Sequence, residues 1–393
     1  MSLASQGIMF GAFSPIYPGG DLLESVNEFE QRVGRRQDVV NSFKKWGAPS
    51  GIFPGNTRTS LRQASGGGRF PMVTWEPLTS KGDQGPYNLA SIAAGEHDEY
   101  LTSWALGLRE LASPVYLRPM HEMNGSWYPW SGDPEAYVAA WRHIVNLFRA
   151  NGTYNAAWVW CVNASDQPRG NWLENYWPGS EYVDILGIDA YNCYSGWRPF
   201  SDLVASPYER VCALDPHLPV WICETASSEA SSLIRGAAGQ SKSAWISGMF
   251  ATNGLERVQA LLWQDDDNPA SYDWRVMTSE DARRALATAL YRAQGWVPPP
   301  GPYVPPVPDR LVAVPVGPGE VELSWRTVVS FTRGYKVQRD GGPVSLVAKQ
   351  IPAPPRPATR IIGLTPGEHR FAVASFTRVR QSAYSVSVTC TVE

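Results

Sequence analysis

Two periodicities divide this chain. As far as residue 296, short apolar runs alternate with stretches whose apolar positions recur every three or four residues, the pattern of a parallel sheet covered by helices. Eight runs read as strands, at 8–13, 38–43, 71–75, 115–121, 156–161, 183–189, 220–223 and 258–263, the second being the least regular. The helix expected from about residue 133 shows the alternating element well. Ser131 or Asp133 caps it, Pro134 suits its first turn, and Tyr137, Trp141, Ile144 and Phe148 form one apolar stripe that belongs to the core. Eight such units within 296 residues predict an α/β fold, a (β/α)8 TIM barrel. A doubly wound sheet is the alternative, but no Gly-rich phosphate turn follows the first strand, and Gly66-Gly67-Gly68 reads as a loop.

Beyond residue 309 the period falls to two. VELSW, GYKVQR, TRIIGL, HRFAVASF and SVSVTCTV alternate apolar and polar positions between turn residues, which predicts an all-β immunoglobulin-like sandwich over 310–393. Residues 297–309, VPPPGPYVPPVPD, lack most backbone donors and read as a stiff Pro-rich linker. The expected organisation is a barrel at 1–296, the linker, and the sandwich.

A net charge of -3 leaves no electrostatic footprint for nucleic acid, and no run is apolar and long enough to span a membrane. A neutral partner is expected. Seventeen tryptophans and seventeen tyrosines exceed ordinary usage and suit both core packing and stacking on sugar rings. No secretory leader is recognisable, and Met1-Ser2-Leu3 reads as a replaced start or as the start of a chain exported without one. The five cysteines match no zinc spacing; Cys161 and Cys223 read as buried strand residues, and Cys193 and Cys212 as a candidate pair.

The candidate chemistry is carboxylate chemistry. Glu122 closes the fourth strand within YLRPMHEMNGSWYPW, and Glu224 closes the seventh within PVWICETASS. Strand ends are where barrels keep active sites, and two acids three units apart would face each other across one mouth. Around Glu122 stand His121, Asn124, Trp127 and Trp130, polar groups for hydroxyls and flat faces for a pyranose. The plainer readings are a surface acid for Glu122 and a capping acid for Glu224. A zinc-protease reading of His121-Glu122 fails because Gly125 stands where HExxH requires histidine. Asp265, Asp266 and Asp267 lack the spacing of a calcium loop. No metal and no cofactor is implied.

The run through HEMNGSWYPW resembles the acid/base segment of glycoside hydrolase family 26, best known for β-mannanases, over roughly residues 7–296. The resemblance implies that Glu122 is the general acid/base and Glu224 the nucleophile of a retaining double displacement. It also marks substrate-binding candidates, several with a structural alternative. Trp75 would wall the site or sit in the core, with Glu76 a third carboxyl beside the sugar. Asn163 would bond a hydroxyl or the acid, or only shape a turn. Tyr191 would steady the ionised nucleophile or line the rim, and Trp263 would floor the ring being cleaved. His121 would touch substrate or stay buried, and Arg118 would pair with a neighbouring carboxylate. The C-terminal strands resemble a fibronectin type III module, with Trp325 as core indole and Leu364-Thr365-Pro366-Gly367 as a late turn. His369-Arg370-Phe371 stands where that family places a corner tyrosine.

These readings predict an endo-acting hydrolase of a neutral polysaccharide, β-1,4-mannan first, with mixed-linkage β-glucan or β-1,3-xylan as alternatives. The partners expected are a poly- or oligosaccharide, neither nucleic acid nor membrane, for a monomer working outside the cell. A non-catalytic sugar-binding barrel or a virion tail component is the alternative of another class, and a virion-borne active enzyme is a further one.

Overall fold

A computed structural model describes residues 1–16, 20–47, 53, 55–66, 68–111, 113–153, 155–194, 196–231, 233–268, 272–293, 307–326, 334–342, 344–348, 357–376 and 382–393. Eight parallel strands close into a barrel in chain order. They are β1 Met9–Phe13, β2 Val39–Lys45, β3 Phe70–Glu76, β4 Val115–Pro119, β5 Ala156–Asn163, β6 Ile185–Tyr191, β7 Val220–Ala226 and β8 Val258–Gln264. Around them lie α1 Leu22–Val33, α2 Gly55–Gly66, α3 Leu89–Ala93, α4 Asp98–Leu111, α5 Pro134–Ala150, α6 Phe200–Leu214, α7 Lys242–Ala251 and α8 Glu280–Arg292. Capping follows the sequence cues: on α5 it is Asp133, not Ser131, that accepts from Ala136 N–H, and the Tyr137, Trp141, Ile144 and Phe148 stripe is buried.

The alternation breaks once. Between β5 and β6 the chain forms two short 3-10 turns, Leu173–Tyr176 and Ser180–Tyr182, in place of an α-helix. Pro168, Gly170, Pro178 and Gly179 punctuate that stretch too often for helical hydrogen bonding to propagate.

Side chains alternate between two apolar layers. Met9, Val39, Met72, Tyr116, Val159, Trp221 and Leu262 fill the barrel interior. A larger cluster, which includes Trp75, Trp104, Trp141 and Trp263, packs between the strands and the helices. All five cysteines are free, so Cys193 and Cys212 are not joined: Cys193 is buried and accepts from Ser228 Oγ at 3.1 Å, while Cys212 lies on α6.

A short antiparallel pair, β9 Asp267–Asn268 and β10 Tyr272–Asp273, follows β8, and the C-terminal strands are β11 Asp309–Gly317, β12 Glu320–Arg326, β13 Gly334–Arg339, β14 Val344–Ala348, β15 Ala358–Ile361, β16 Gly367–Phe376 and β17 Val388–Val392. A three-stranded sheet, β11-β12-β15, and a four-stranded sheet, β14-β13-β16-β17, share a core of Leu323, Trp325, Tyr335, Val337, Phe371 and Val373. His369 holds the corner after the late turn: Nε2 lies 2.9 Å from the Thr365 carbonyl and Nδ1 lies 2.9 Å from Asp340. All but residues 307–309 of the Pro-rich stretch fall outside the described residues. A buried ion pair joins the two parts, Arg326 Nη1 to Asp215 Oδ2 at 2.7 Å. Among the described residues no helix is long and apolar enough to cross a membrane.

Candidate active site

β4 ends at Pro119, two residues earlier than its apolar run suggests, because the backbone turns sharply there. Met120 and Glu122 both adopt left-handed conformations, with φ of 48° and 54°, which cost a non-glycine residue of order 1 kcal/mol or more. The segment is held in place from several sides. Met120 N–H donates to Trp75 O at 3.2 Å, Glu122 N–H to Cys161 O at 2.9 Å, and Trp130 Nε1 to His121 O at 2.7 Å. Asn124 clamps the end of β5, accepting from Asn163 N–H and donating to Asn163 O and Asp166. Asn124 and Trp130, read from the sequence as groups facing a sugar, are thus buried braces. Gly125 lets Trp127 fold back, since a Cβ there would lie 2.5 Å from the indole ring. The half-exposed Trp127 then donates from Nε1 to Glu122 Oε2 at 2.6 Å.

Glu224 is presented differently. β7 continues past it to Ala226, and the pairing with β6 steps from Ile188↔Ile222 to Asp189↔Glu224, which leaves one extra residue at Cys223. This bulge lets both Cys223 and Glu224 face the barrel axis. Arg118, fully buried on β4, lies under the carboxylate: Nη2 donates to Glu224 Oε1, and Nη1 donates to Asp189 Oδ1 and Oδ2 at 2.9 and 2.8 Å. Its remaining donors reach Thr74 Oγ1 at 2.9 and 2.7 Å. Tyr191, the last residue of β6, donates its hydroxyl to Glu224 Oε2. Both oxygens of Glu224 therefore accept hydrogen bonds, one from the guanidinium and one from the phenol.

The two glutamates line one open cleft of about 970 Å³, with Glu76, Trp127, Tyr128, Asn163, Tyr191, Tyr194, Gln264 and Trp274 among its other walls. Their surroundings separate their roles. Burial and then the neighbouring Glu224 charge push Glu122 up to about 8, outweighing the Trp127 bond and Arg118. Glu122 is thus held as an acid at neutral pH. Burial pushes Glu76 up to about 7 against the pull of Lys45. His121 is buried, and burial together with Arg118 keeps its imidazole well below its usual range, hence neutral.

The structure brings Glu122, Glu224, Glu76, Trp127, Asn163 and Tyr191 to one cleft. Asn163 also shapes the turn, donating to Ser165 O at 2.6 Å. Trp75 and Trp263 are not brought there. Both indoles point into the layer beneath the helices, Trp75 bonded to Tyr100 and Trp263 to the Trp274 carbonyl, because each occupies the outward phase of its strand. His121 lies buried beside Tyr128, with ring centroids 4.6 Å apart, and is absent from the cleft lining. Sequence reasoning missed Tyr128, Tyr194 and Trp274. Tyr128 stood in the quoted motif, whereas Trp274, stacked on Tyr191 at 4.5 Å, lies in a loop after β8 without periodic signal.

Two sets of ligand-type atoms, Cys161-Asp189-Cys223 and His121-Asp189-Glu224, each lie within 4.8 Å of one another below the cleft. The Arg118 guanidinium bonds into both sets, so the local positive charge is already a fixed cation.

Residues 87–218 match the family model described as Glycosyl hydrolase family 26, a span that contains Glu122 and stops just before β7. From β4 to the segment before β7 the chain is thus similar to glycosyl hydrolase family 26. Endoglucanase H of Acetivibrio thermocellus is 30% identical to this chain over 301 residues, which cover 73% of the chain and 31% of that protein. Mannan endo-1,4-beta-mannosidase A and B of Caldalkalibacillus mannanilyticus is 33% identical over 129 residues, 30% of this chain and 23% of that protein. The chain thus spans about a third or less of the length of these two relatives. Among solved structures, a modular endo-beta-1,4-mannanase from Cellulomonas fimi is similar over 98% of this chain and 94% of its own, with a TM-score of 0.54 and 17% identity. At that identity the likeness is one of fold.

Proposed function

We propose that this chain is a retaining endo-β-glycanase. The observation that carries the reading is a single cleft holding two carboxyl groups in different surroundings, Glu122 kept protonated by burial and Glu224 bonded by Arg118 and Tyr191. Glu122 gives its proton to the glycosidic oxygen while Glu224 attacks C1; the C1–O bond breaks and a glycosyl ester forms. Glu122, now ionised, takes a proton from water, whose oxygen attacks C1 and frees Glu224. Anomeric configuration is retained. An open cleft, rather than a closed pit, suits attack within a chain.

β-1,4-Mannan is the first substrate, the polymer named for several of the relatives. Glucan is the second, favoured by the alignment with Endoglucanase H, which spans far more of this chain than the mannosidase alignments do. Incubation with mannan, mixed-linkage β-1,3-1,4-glucan and β-1,3-xylan, with separation of the products, tests the reading. Oligosaccharides of several lengths from the first or second are expected, and no product from any of the three would refute it. A polysaccharide does not cross a bilayer, so the proposed place of work is extracellular. The three-plus-four strand order and the His369 corner support a fibronectin type III-like module that acts as a spacer.

A further inference from the structure

Lys242 opens α7, is wholly buried, and lies outside the cleft lining. A buried ammonium needs a bond for each of its three protons, and Lys242 Nζ has three acceptors, all on the segment after β8. They are the Asp273 carbonyl at 3.2 Å, the Arg275 carbonyl at 2.6 Å and Thr278 Oγ1 at 3.1 Å. The two carbonyls flank Trp274. From the same segment, Trp274 O accepts from Trp263 Nε1 at 3.0 Å, and Val276 N–H donates to Asp265 at 2.6 Å. Thr278 Oγ1 in turn donates to Glu229 Oε1 at 2.7 Å, tying the anchor to the chain that follows β7.

Trp274 is the wall that this anchor sets. Its indole lines the cleft and stacks on Tyr191, with centroids 4.5 Å apart and planes 28° apart, and Tyr191 bonds Glu224. Tyr194 meets the same indole edge-on at 5.7 Å. We propose that Lys242 is a positioning residue that fixes the Trp274 platform in the cleft, and so sets how tightly a sugar ring beside the nucleophile is held. The inference rests on the glycanase reading for its ligand, but the position of Trp274 can be read without any sugar.

The full-length chain labelled with 5-fluorotryptophan supplies the test, because the fluorine line lost in Trp274→Phe reports Trp274. In Lys242→Met, which keeps the volume and removes the donors, that line should shift, with a smaller shift at Trp263, whose ring lies under the ammonium, while lines of tryptophans remote from it, such as Trp104 and Trp141, stay in place. Affinity for mannohexaose or cellohexaose, measured by calorimetry, should fall roughly three- to ten-fold, the worth of one aromatic stacking contact. Lys242→Arg, which keeps a cation with several donors, should recover part of both. If Lys242→Met does not fold, Thr278→Val takes its place, removing one acceptor and giving a smaller shift of the same line. An unmoved Trp274 line in a folded variant overturns the proposal, as does a moved line with unchanged hexaose affinity. A moved line in a chain that binds neither hexaose supports the positioning role and instead removes the substrate reading.

Discussion

At the scale of the residue, the account turns on how differently two carboxyl groups of one kind are treated. Glu122 carries its proton to about pH 8 because burial and the Glu224 charge oppose ionisation. The alkaline limb of kcat/KM on polysaccharide should therefore fall near pH 8, as the acid loses its proton, and Glu122→Gln should lower kcat by about 10²–10⁴-fold. The same shift has a consequence for stability. The folded-state value is raised above the ordinary 4.5, so Glu122 contributes most below pH 4.5 and this contribution is lost as pH rises through about 8. Denaturation of Glu122→Gln and the parent at pH 5 and pH 9 should show the variant gaining relative stability at the higher pH. Both glutamates were legible in the sequence because an acid closing an apolar run is conspicuous. Trp75 and Trp263 were misread because strand-end indoles look alike whether they face the axis or the helices, and one residue of phase decides it.

Elements translate that chemistry into geometry. The bulge at Cys223 turns Glu224 toward Arg118, and the left-handed turn at Glu122 aims the acid into the cleft. Neither leaves a mark in the hydrophobic pattern, which is why the sequence places both acids at strand ends but cannot say that β7 runs on past Glu224. The eight strands themselves were legible because their apolar runs are long and regular, whereas the missing helix before β6 was hidden by a fixed expectation of alternation. Arg118→Met would leave the buried Asp189 and Glu224 carboxyls without their guanidinium donor, and should destabilise the barrel by about 3–5 kcal/mol in chemical denaturation. Tyr191→Phe removes one bond to Glu224 and should lower kcat by about ten-fold while the chain stays folded, the worth of one charge-assisted hydrogen bond.

For the molecule as a whole, an ion pair between Arg326 and Asp215 joins its two parts, and Asp215 lies on the segment between α6 and β7, at the end of β7 opposite to Glu224. Among the described residues the cleft is lined by barrel residues. Removing residues 304–393 should leave the rate of cleavage of soluble oligosaccharides unchanged, as measured by reducing-end release; a large loss would mean that the module shapes the cleft from a distance. The central claim is that Glu224 attacks the sugar. Reaction of the full-length chain with 2-deoxy-2-fluoro β-glycosyl fluorides of mannobiose and cellobiose, followed by peptide mass mapping, tests it most directly. A stable disaccharide adduct on Glu224 is expected from at least one of the two reagents; turnover of polysaccharide with no adduct, or an adduct on another carboxylate, would refute Glu224 as the nucleophile.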